Sequence, residues 1–335
     1  MKKNLLHKLF LMATAVCIMN NAEARIWRVN NTAGINANFA QISDAATNSA
    51  VLPGDTLYVE GSATGYSNFE LKKRLVIIGP GYFLSGTASN PGLQYNVNTA
   101  YINTLYLDSL ASGSVIMGMT GSFYIAGSTD NITLTRNNIT LNAYNGQSAG
   151  QMISNIKANK NYLSTNIAFA LENAEITNNI ISGACILSSL NNKNILFRNN
   201  VIALGNTNIS GAYISNNIFG TSSATFTNST IRYNISSRSF LPTGDNNQNN
   251  VALNTIFVST GSSDGYYRLL ANSPAIAAGE PIGGVTPDCG AFGTADPYHL
   301  SGIPPIPSIY ELNVPASVPA TATSITVTIS TRSNN

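Results

Sequence analysis

The feature that most constrains the fold is a short phrase of residues repeated between Ile132 and Ser237. In each copy an Asn, usually one of a pair, lies between short apolar pieces of strand. Successive copies of this Asn are separated by 41, 21, 17 and 17 residues, and a degraded copy near 159–161 divides the first interval. A period of roughly 17–23 residues is typical of a solenoid. The repeated positions are Asn138, Asn179, Asn200, Asn217 and Asn234.

The rest of the chain has the period of strands. Apolar residues recur at every second position in short pieces such as 56–60, 75–78 and 104–107, and only 10% of the residues are charged. No piece alternates with a helix of 10–15 residues, which disfavours βαβ units. We therefore predict an all-β chain: a right-handed parallel β-helix in which each strand pairs with its equivalent one coil away, about 4.8 Å along the axis.

The repeated Asn residues are best explained as turn chemistry. A sharp bend between two strands needs a residue in the left-handed region, which Asn tolerates better than other non-glycine residues. Stacked amides can also hydrogen-bond along the axis. We predict a structural ladder at the five Asn positions and one interior apolar column, formed by Ile139, Ile180, Val201, Ile218 and Ile235.

Residues 1–24 have the pattern of a secretory signal peptide. Lys2, Lys3 and Lys8 precede an apolar run too short to span a bilayer, and small residues at 22 and 24 predict cleavage before Arg25. The remaining chain would carry 14 basic and 14 acidic residues. This balance argues against a nucleic-acid partner, and no later stretch predicts a transmembrane segment. We expect a secreted or cell-surface protein.

The two ends of the solenoid differ from its middle. Phe39, Ile42 and Ala46 have helical spacing within 36–50 and predict a capping helix over the open end. The β-helix, with its caps, is predicted to span residues 25–300. Residues 301–335 form a Pro-rich linker and a tail with strand patterns at 310–314 and 324–330. Two strands cannot bury a core alone, so the tail is expected to pack on the body or on a partner.

These residues resemble a known family. Phe39-Ala-Gln-Ile, Pro53-Gly-Asp-Thr-Leu-Tyr-Val59, the repeated Asn-Asn turns and the closing Leu270-Ala-Asn-Ser-Pro-Ala-Ile276 with Asp288-Cys-Gly-Ala-Phe292 resemble secreted bacterial β-helix proteins of the pectin-lyase-like superfamily, over residues 30–300. The resemblance implies the fold. It implies little about activity, because this fold hosts lyases, hydrolases, adhesins and inert stalks.

The sequence offers no catalytic set. A glycosidase needs carboxylates converging on one groove, yet the repeat region from Ile132 to Ser237 holds only Glu172 and Glu175 as acids, with Asp108 and Asp130 further back. His299, the single His after residue 24, lies at the end of the solenoid. Cys185 and Cys289 offer no ligand set for zinc. Cys185 lies in an apolar piece of strand and is interpreted as a buried thiol, and a disulfide with the distant Cys289 is disfavoured but stays open. We predict no catalytic residue, no metal site and no cofactor.

One surface hypothesis comes from the residue before the Asn pair. Arg136, Arg198 and Arg232 occupy this position in three copies and are expected to face outward in one column. Guanidinium groups bind carboxylates or sulfates in bidentate fashion, so the column could hold an acidic glycan.

The sequence leads to a first hypothesis and an alternative. The first is a non-enzymatic β-helix for glycan binding, adhesion or spacing, with polysaccharide as partner and residues 303–335 contacting a cell-surface protein. The alternative is a divergent polysaccharide lyase or glycoside hydrolase acting on acidic, pectin-like polysaccharide, with Ca²⁺ as cofactor in the lyase case.

Overall fold

Two long parallel sheets form the body of the molecule. The computed structural model describes residues 24–85, 93–144, 151–167 and 170–334. Sheet A has ten strands, stacked in chain order: β1 (Ile26–Val29), β2 (Thr56–Val59), β4 (Val76–Ile78), β6 (Val115–Met117), β8 (Thr133–Thr135), β11 (Lys157–Asn159), β14 (Glu175–Thr177), β16 (Ile195–Arg198), β19 (Ala212–Ser215) and β22 (Thr230–Arg232).

Sheet B has eleven strands and a bend along its length. Its strands are β3 (Phe69–Leu71), β5 (Ala100–Leu107), β7 (Met119–Ile125), β9 (Asn138–Ala143), β12 (Tyr162–Asn166), β15 (Ile180–Leu187), β17 (Val201–Ile202), β18 (Thr207–Ser210), β20 (Ile218–Phe219), β21 (Ala224–Thr227) and β23 (Ile235–Ser236). A small parallel sheet pairs β10 (Met152–Ser154) with β13 (Ala170–Glu172). Single turns of 3-10 helix cover Ser109–Ala111, Leu253–Thr255, Gly265–Tyr267 and Leu300–Gly302.

The register of sheet A decides the architecture. Each strand pairs in parallel with the equivalent strand of the next coil, and, β1 and β2 apart, no two paired strands of sheet A are consecutive in sequence. One inward position repeats through nine coils as Leu57, Ile77, Ile116, Leu134, Ala158, Ile176, Phe197, Ile214 and Ile231. The first eight of these are at most 4% exposed and form the coil interior. The chain is a right-handed parallel β-helix.

A ladder of asparagine amides links the coils, as predicted. From the second ladder residue on, each Oδ1 accepts from the backbone N–H and from the Nδ2 of the preceding ladder Asn, at 2.8–3.2 Å. Every Nδ2 also donates to a strand carbonyl, for example Asn200 to Ile176 at 2.8 Å. The ladder residues are Asn137, Asn161, Asn179, Asn200, Asn217, Asn234 and Asn247.

The predicted ladder position was wrong by one residue in the first copy. Asn138 starts β9, where it pairs with Tyr162, and the amide in the ladder belongs to Asn137. The bend itself is made by the residue before each ladder Asn, whose φ lies between +55° and +59° at all seven positions. We call these seven residues the ladder corner: Arg136, Lys160, Asn178, Asn199, Asn216, Tyr233 and Asn246.

After the last coil the chain returns along the ladder corner. We call residues 288–304 the strap, because successive parts of it bind successively earlier coils. Gly290 N donates to Asn216 O at 2.8 Å, Asn178 Nδ2 donates to Ala291 O at 3.1 Å, and Arg136 Nη1 donates to Ile303 O at 2.6 Å. Tyr82, which follows β4, donates its N–H to Ser301 O at 2.8 Å. The strap therefore spans most of the solenoid.

The predicted interior column lies under this strap. Ile180, Val201, Ile218 and Ile235 do align with one another and are at most 1% exposed. They pack outside the coil, in a second apolar cluster that includes Cys289. Ile139 was wrongly added to this column, because it aligns with Leu163, Ile181, Ile202 and Phe219 inside the coil. A buried column can face either the coil interior or a covering segment, and periodicity does not distinguish the two.

The helix and the tail lie near the first coils. Helix α1 (Ile42–Thr47) buries Ile42, Ala45 and Ala46 and contacts β1, β2 and β3, whereas Phe39 precedes it and bridges to Val29. The tail forms an antiparallel hairpin of β24 (Ser308–Asn313) and β25 (Thr328–Arg332). Of the two expected alternatives, packing on the body is the one observed: Tyr95 N donates to Ile309 O at 2.9 Å, and Arg332 Nη2 donates to Leu93 O at 2.7 Å.

Candidate functional site

The predicted column of three arginines does not form. Arg198 and Arg232 share an outward position of sheet A with Ser215 between them, but the residue of β8 in this column is Thr135. Arg136 lies one position later, at the ladder corner, is 7% exposed and binds the strap. The error has the same origin as that for Asn138: the Asn pair of this copy is displaced by one residue.

Arg198 and Arg232 converge on a carboxylate of their own chain. Arg198 Nη2 lies 2.8 Å from Glu280 Oε2, and Arg232 Nε lies 3.6 Å from Glu280 Oε1. The Tyr213 hydroxyl donates to the same Oε1 at 2.5 Å. Burial, together with Glu280, raises the pKa of Tyr213. Arg198 and Arg232 thus hold Glu280, a residue of the segment that follows the last coil.

The other candidate residues have structural partners. Glu175 pairs with Lys157, and Asp130 accepts hydrogen bonds from Asn131 and Asn155. Burial, with the nearby cations Arg136 and Lys160, lowers the pKa of His299. Cys185 and Cys289 are free, and burial raises the pKa of each thiol to about 12.

In the ranges that the structure describes, no group of three or more His, Cys, Asp or Glu side chains is placed to hold a metal ion. None of the helices found there is long and apolar enough to cross a membrane. The signal-peptide pattern itself falls on residues 1–24, of which 1–23 lie outside the described ranges.

The most distinctive open surface is a groove on the outside of sheet B. It runs across β5, β7, β9, β12 and β15 and has a volume of about 250 Å³. None of the described residues that line it carries a charge. They are Tyr101, Thr120, Gly121, Ser122, Asn138, Ile139, Thr140, Leu163, Ser164 and Ser182. We call this feature the hydroxyl groove.

A bend in sheet B creates the groove. The register shifts between Ile102 and Thr104 in β5, and again between Leu163 and Thr165 in β12. Gly121 forms part of the floor with φ +151°, and a Cβ there would lie 1.8 Å from Ile102 O, so only glycine fits. Such bulges turn a strand and re-aim its side chains. The flat face of a sheet thereby becomes concave.

Hydroxyl groups repeat along the groove at the coil spacing. Ser122, Thr140 and Ser164 occupy equivalent positions in three coils, and the Ser164 and Thr140 oxygens are 3.3 Å apart. Among the described residues, Thr120 Oγ1 is one of the few buried side-chain N or O atoms without a hydrogen-bond partner. Tyr101, which is 43% exposed, forms one wall. A hydroxyl both donates and accepts, so the lining can match a ligand rich in hydroxyls.

A column of tyrosines lies next to the groove on the same face. The rings of Tyr106 and Tyr124 have centroids 5.3 Å apart, and Tyr144 packs edge-on against Tyr106 at 5.1 Å. Tyr144 is 39% exposed. Aromatic side chains that are apolar on their faces and polar at one end are common at binding surfaces. The groove and this column lie on one face, and the ion pair of Glu70 with Lys72 borders the column beside Tyr106.

Sequence reasoning missed this surface because its residues look like the ordinary exterior of a strand. Alternating Ser and Thr residues indicate only which face is outside. The one signal was Gly121 within an otherwise regular strand, since a glycine there often marks a bulge or a close approach.

Comparisons with known proteins add a distant structural similarity. No family model and no curated protein sequence matches the chain. Among solved structures, the crystal structure of pectate lyase Pel9A is similar, with 16% identity and a TM-score of 0.33. The alignment covers 80% of this chain and 96% of that one. The assignment of the fold rests on the strand register described above.

Proposed function

We propose that the protein binds a neutral polysaccharide in the hydroxyl groove and does not cleave it. The observation that carries this proposal is an elongated concave surface, lined by hydroxyl, amide and tyrosine groups and free of charged lining residues. Neutral sugars offer alternating hydroxyl groups and C–H faces, which hydroxyl side chains and aromatic rings complement. The absence of a carboxylate pair from the lining favours binding over hydrolysis.

The equivalent positions of the groove also suit a polymer. Ser122, Thr140 and Ser164 repeat at the strand spacing of about 4.8 Å. A chain lying along the coil axis would meet the same side-chain chemistry in each coil. Oligosaccharides should therefore bind more tightly as they lengthen, until the chain covers the five strands of the groove.

Affinity electrophoresis tests the proposal. The purified protein is run in gels containing glucan, xylan, mannan or polygalacturonate, with Tyr101→Ala and Thr140→Val as groove variants. We expect retardation by a neutral polysaccharide, weakened about tenfold by Tyr101→Ala and two- to tenfold by Thr140→Val, as the loss of about 0.5–1.5 kcal/mol implies. Tyr266→Ala and Thr225→Val, exposed residues outside the groove, are the matched controls.

Two outcomes would overturn the proposal. One is equal retardation of groove and control variants. The other is turnover of a polysaccharide, detected as new reducing ends or unsaturated products, that a single carboxylate or basic substitution abolishes. That second result would establish the alternative of a divergent lyase or hydrolase acting on acidic polysaccharide, with Ca²⁺ dependence as the mark of a lyase.

A second candidate site is the arginine pair on sheet A. Two guanidinium groups and one phenol already converge on the Glu280 carboxylate, so their arrangement suits a carboxylate. An acidic glycan would have to displace Glu280. Glu280→Gln should then increase polygalacturonate binding, whereas Glu175→Gln, which frees Lys157 on the same sheet, should not. Equal effects of the two substitutions would reduce the result to net charge.

Export and attachment complete the proposed role. Export would follow from the signal pattern in residues 1–24, and a cell-surface partner would contact the tail within residues 303–335. The hairpin exposes several apolar side chains, including Ile309, Val327 and Ile329. Deleting residues 308–335 leaves the strap intact and should release the protein from cells if the tail is the attachment. Continued attachment would contradict this part.

A further inference from the structure

The first strand of the β-helix is tied to the second by a buried carboxylate. Asp55, in the turn before β2, is 3% exposed. Its Oδ1 accepts from the backbone nitrogen of Arg25 at 2.9 Å. Its Oδ2 accepts from Trp27 Nε1 at 2.8 Å and from the Leu52 N–H at 2.9 Å. Arg25 and Trp27 lie at the start of β1, and Leu52 lies shortly before β2. Asp55 therefore fixes the first strand of the solenoid to the second.

One of these donors is the atom that processing would change. The small residues Ala22 and Ala24 predict cleavage of the peptide bond before Arg25. In the uncleaved chain, the Arg25 nitrogen is an amide with one proton. On hydrolysis, water supplies the hydroxyl of the new Ala24 carboxyl group and a hydrogen to the Arg25 nitrogen. That nitrogen is then an amine, which takes up a further proton. At neutral pH that amine is largely an ammonium ion.

We propose that cleavage between Ala24 and Arg25 converts the Arg25–Asp55 hydrogen bond into an ion pair, and so locks the first coil only after the leader has been removed. The nitrogen is already at hydrogen-bond distance, so no rearrangement is required. A charged donor on a carboxylate forms a stronger hydrogen bond than a neutral amide does. The inference is independent of the proposed glycan groove.

The surroundings suit a permanent carboxylate at this position. Burial would raise the pKa of Asp55, but the hydrogen bonds from Arg25, Trp27 and Leu52 lower it below its ordinary value. Arg25 O in turn accepts from Thr56 N at 2.8 Å, so the new terminus would be held on both sides of its first peptide unit. An exposed N-terminus would ordinarily fray.

The test compares two forms of the chain that differ only at the N-terminus. One begins at Arg25, released from a cleavable fusion, and the other retains Ala22-Glu23-Ala24 before it. We expect the Arg25 form to unfold about 1–2 °C higher at pH 7, the shift that about 1 kcal/mol produces in a chain of roughly 310 residues. Asp55→Asn should remove the difference. Equal unfolding temperatures, or a difference that persists in Asp55→Asn, would overturn the proposal.

A pH series provides a readout that needs no substitution. A free α-amino group has a pKa of about 7.7–8.0, and pairing with Asp55 raises it. A raised pKa stabilises the folded state below the unfolded value and loses this effect as the pH rises through the folded value. The advantage of the Arg25 form should therefore be full at pH 6–7 and gone well above pH 9. A pH-independent advantage would exclude the ion pair.

Only the longer form carries Glu23 and the Ala22 amino group. The other charges near Asp55 are common to both forms. They are the Arg25 guanidinium, the Arg74 guanidinium against Gly54 and the Lys73 ammonium, which donates to Val51 O. Their titration therefore cancels in the comparison. Finally, the intact mass of the exported protein must correspond to a chain that starts at Arg25. A different N-terminus would refute the proposal irrespective of the stability data.

Discussion

The ladder corner and the hydroxyl groove are both outward-facing surfaces of the same coils, yet they are built in opposite ways. At the corner, the first three side chains differ from one another, and each binds a different part of the strap: Arg136 the Ile303 carbonyl, Lys160 the Asp296 carboxylate and Asn178 the Ala291 carbonyl. In the groove, the side chains are similar, as Ser122, Thr140 and Ser164 show. Side chains that contact the strap thus differ in type, whereas side chains on the open groove are alike.

In this solenoid, scaffold residues and candidate-site residues should respond differently to substitution. A corner residue is constrained by one specific partner, so its loss should lower stability and leave ligand binding unchanged. A groove residue has no such partner in the strap, so its loss should weaken ligand binding and leave stability unchanged.

The largest difference is expected for the ladder beneath the strap. Asn200 is fully buried, donates to Ile176 O and accepts from the N–H and Nδ2 groups of Asn179. Asn200→Ala leaves these groups unsatisfied and should lower the free energy of unfolding by at least about 3 kcal/mol. Ser164→Ala in the groove should change it by less than about 0.5 kcal/mol. Urea denaturation measures both, and similar losses would break the distinction.

A smaller effect is expected for a single contact with the strap. Asn178→Gly keeps the left-handed backbone, φ +56°, but removes the hydrogen bonds to Ala291 O and Thr294 Oγ1. Asn173→Gly is the matched control, since Asn173 has φ +54° and lies at the opposite corner, away from the strap. We expect Asn178→Gly to cost about 1–2 kcal/mol more than the control and to speed amide exchange in residues 288–304. Equal costs would mean that the strap adds nothing there.

The smallest effect is expected at the exposed end of the same corner. The hydrogen bond from Lys160 lowers the pKa of Asp296 below its ordinary value of 3.8. The stabilisation is therefore present above about pH 4 and is lost as the pH falls through the lowered pKa. Because the Asp296 side chain is 72% exposed, Asp296→Asn should cost at most about 0.5 kcal/mol at pH 7. The gap between wild type and variant, followed by urea midpoints from pH 2 to 7, should close in acid; a gap that widens in acid would reverse the assignment.

The sequence predicted the fold because the repeat records it directly. Apolar alternation gives the strands, and Asn179, Asn200, Asn217 and Asn234 form the ladder as expected. The register failed in one copy, where two adjacent asparagines offered two alignments and Asn138 was chosen over Asn137. A slip of one residue moves every side chain to the opposite face, which also misplaced Arg136 and Ile139.

The strap and the groove could not be predicted from local pattern. The column from Ile180 to Ile235 is buried by residues far away in sequence, such as Cys289 and Ala291. The groove depends on two register shifts in sheet B, which no composition rule locates. In both cases the controlling interaction joins distant parts of the chain, and a periodicity of two or three residues carries no record of it.

The strap has a consequence for the order of events during folding. Tyr82 and Tyr298, whose hydroxyls are hydrogen-bonded, lie 216 residues apart in sequence. Coils can stack one on another as a chain is synthesised, because each needs only its neighbour. The apolar column of Ile180, Val201, Ile218 and Ile235, however, stays uncovered until residues near 290 have been made. Completed coils thus carry an exposed apolar stripe throughout synthesis, and that stripe is where a nascent chain would be most prone to aggregate or to engage a chaperone.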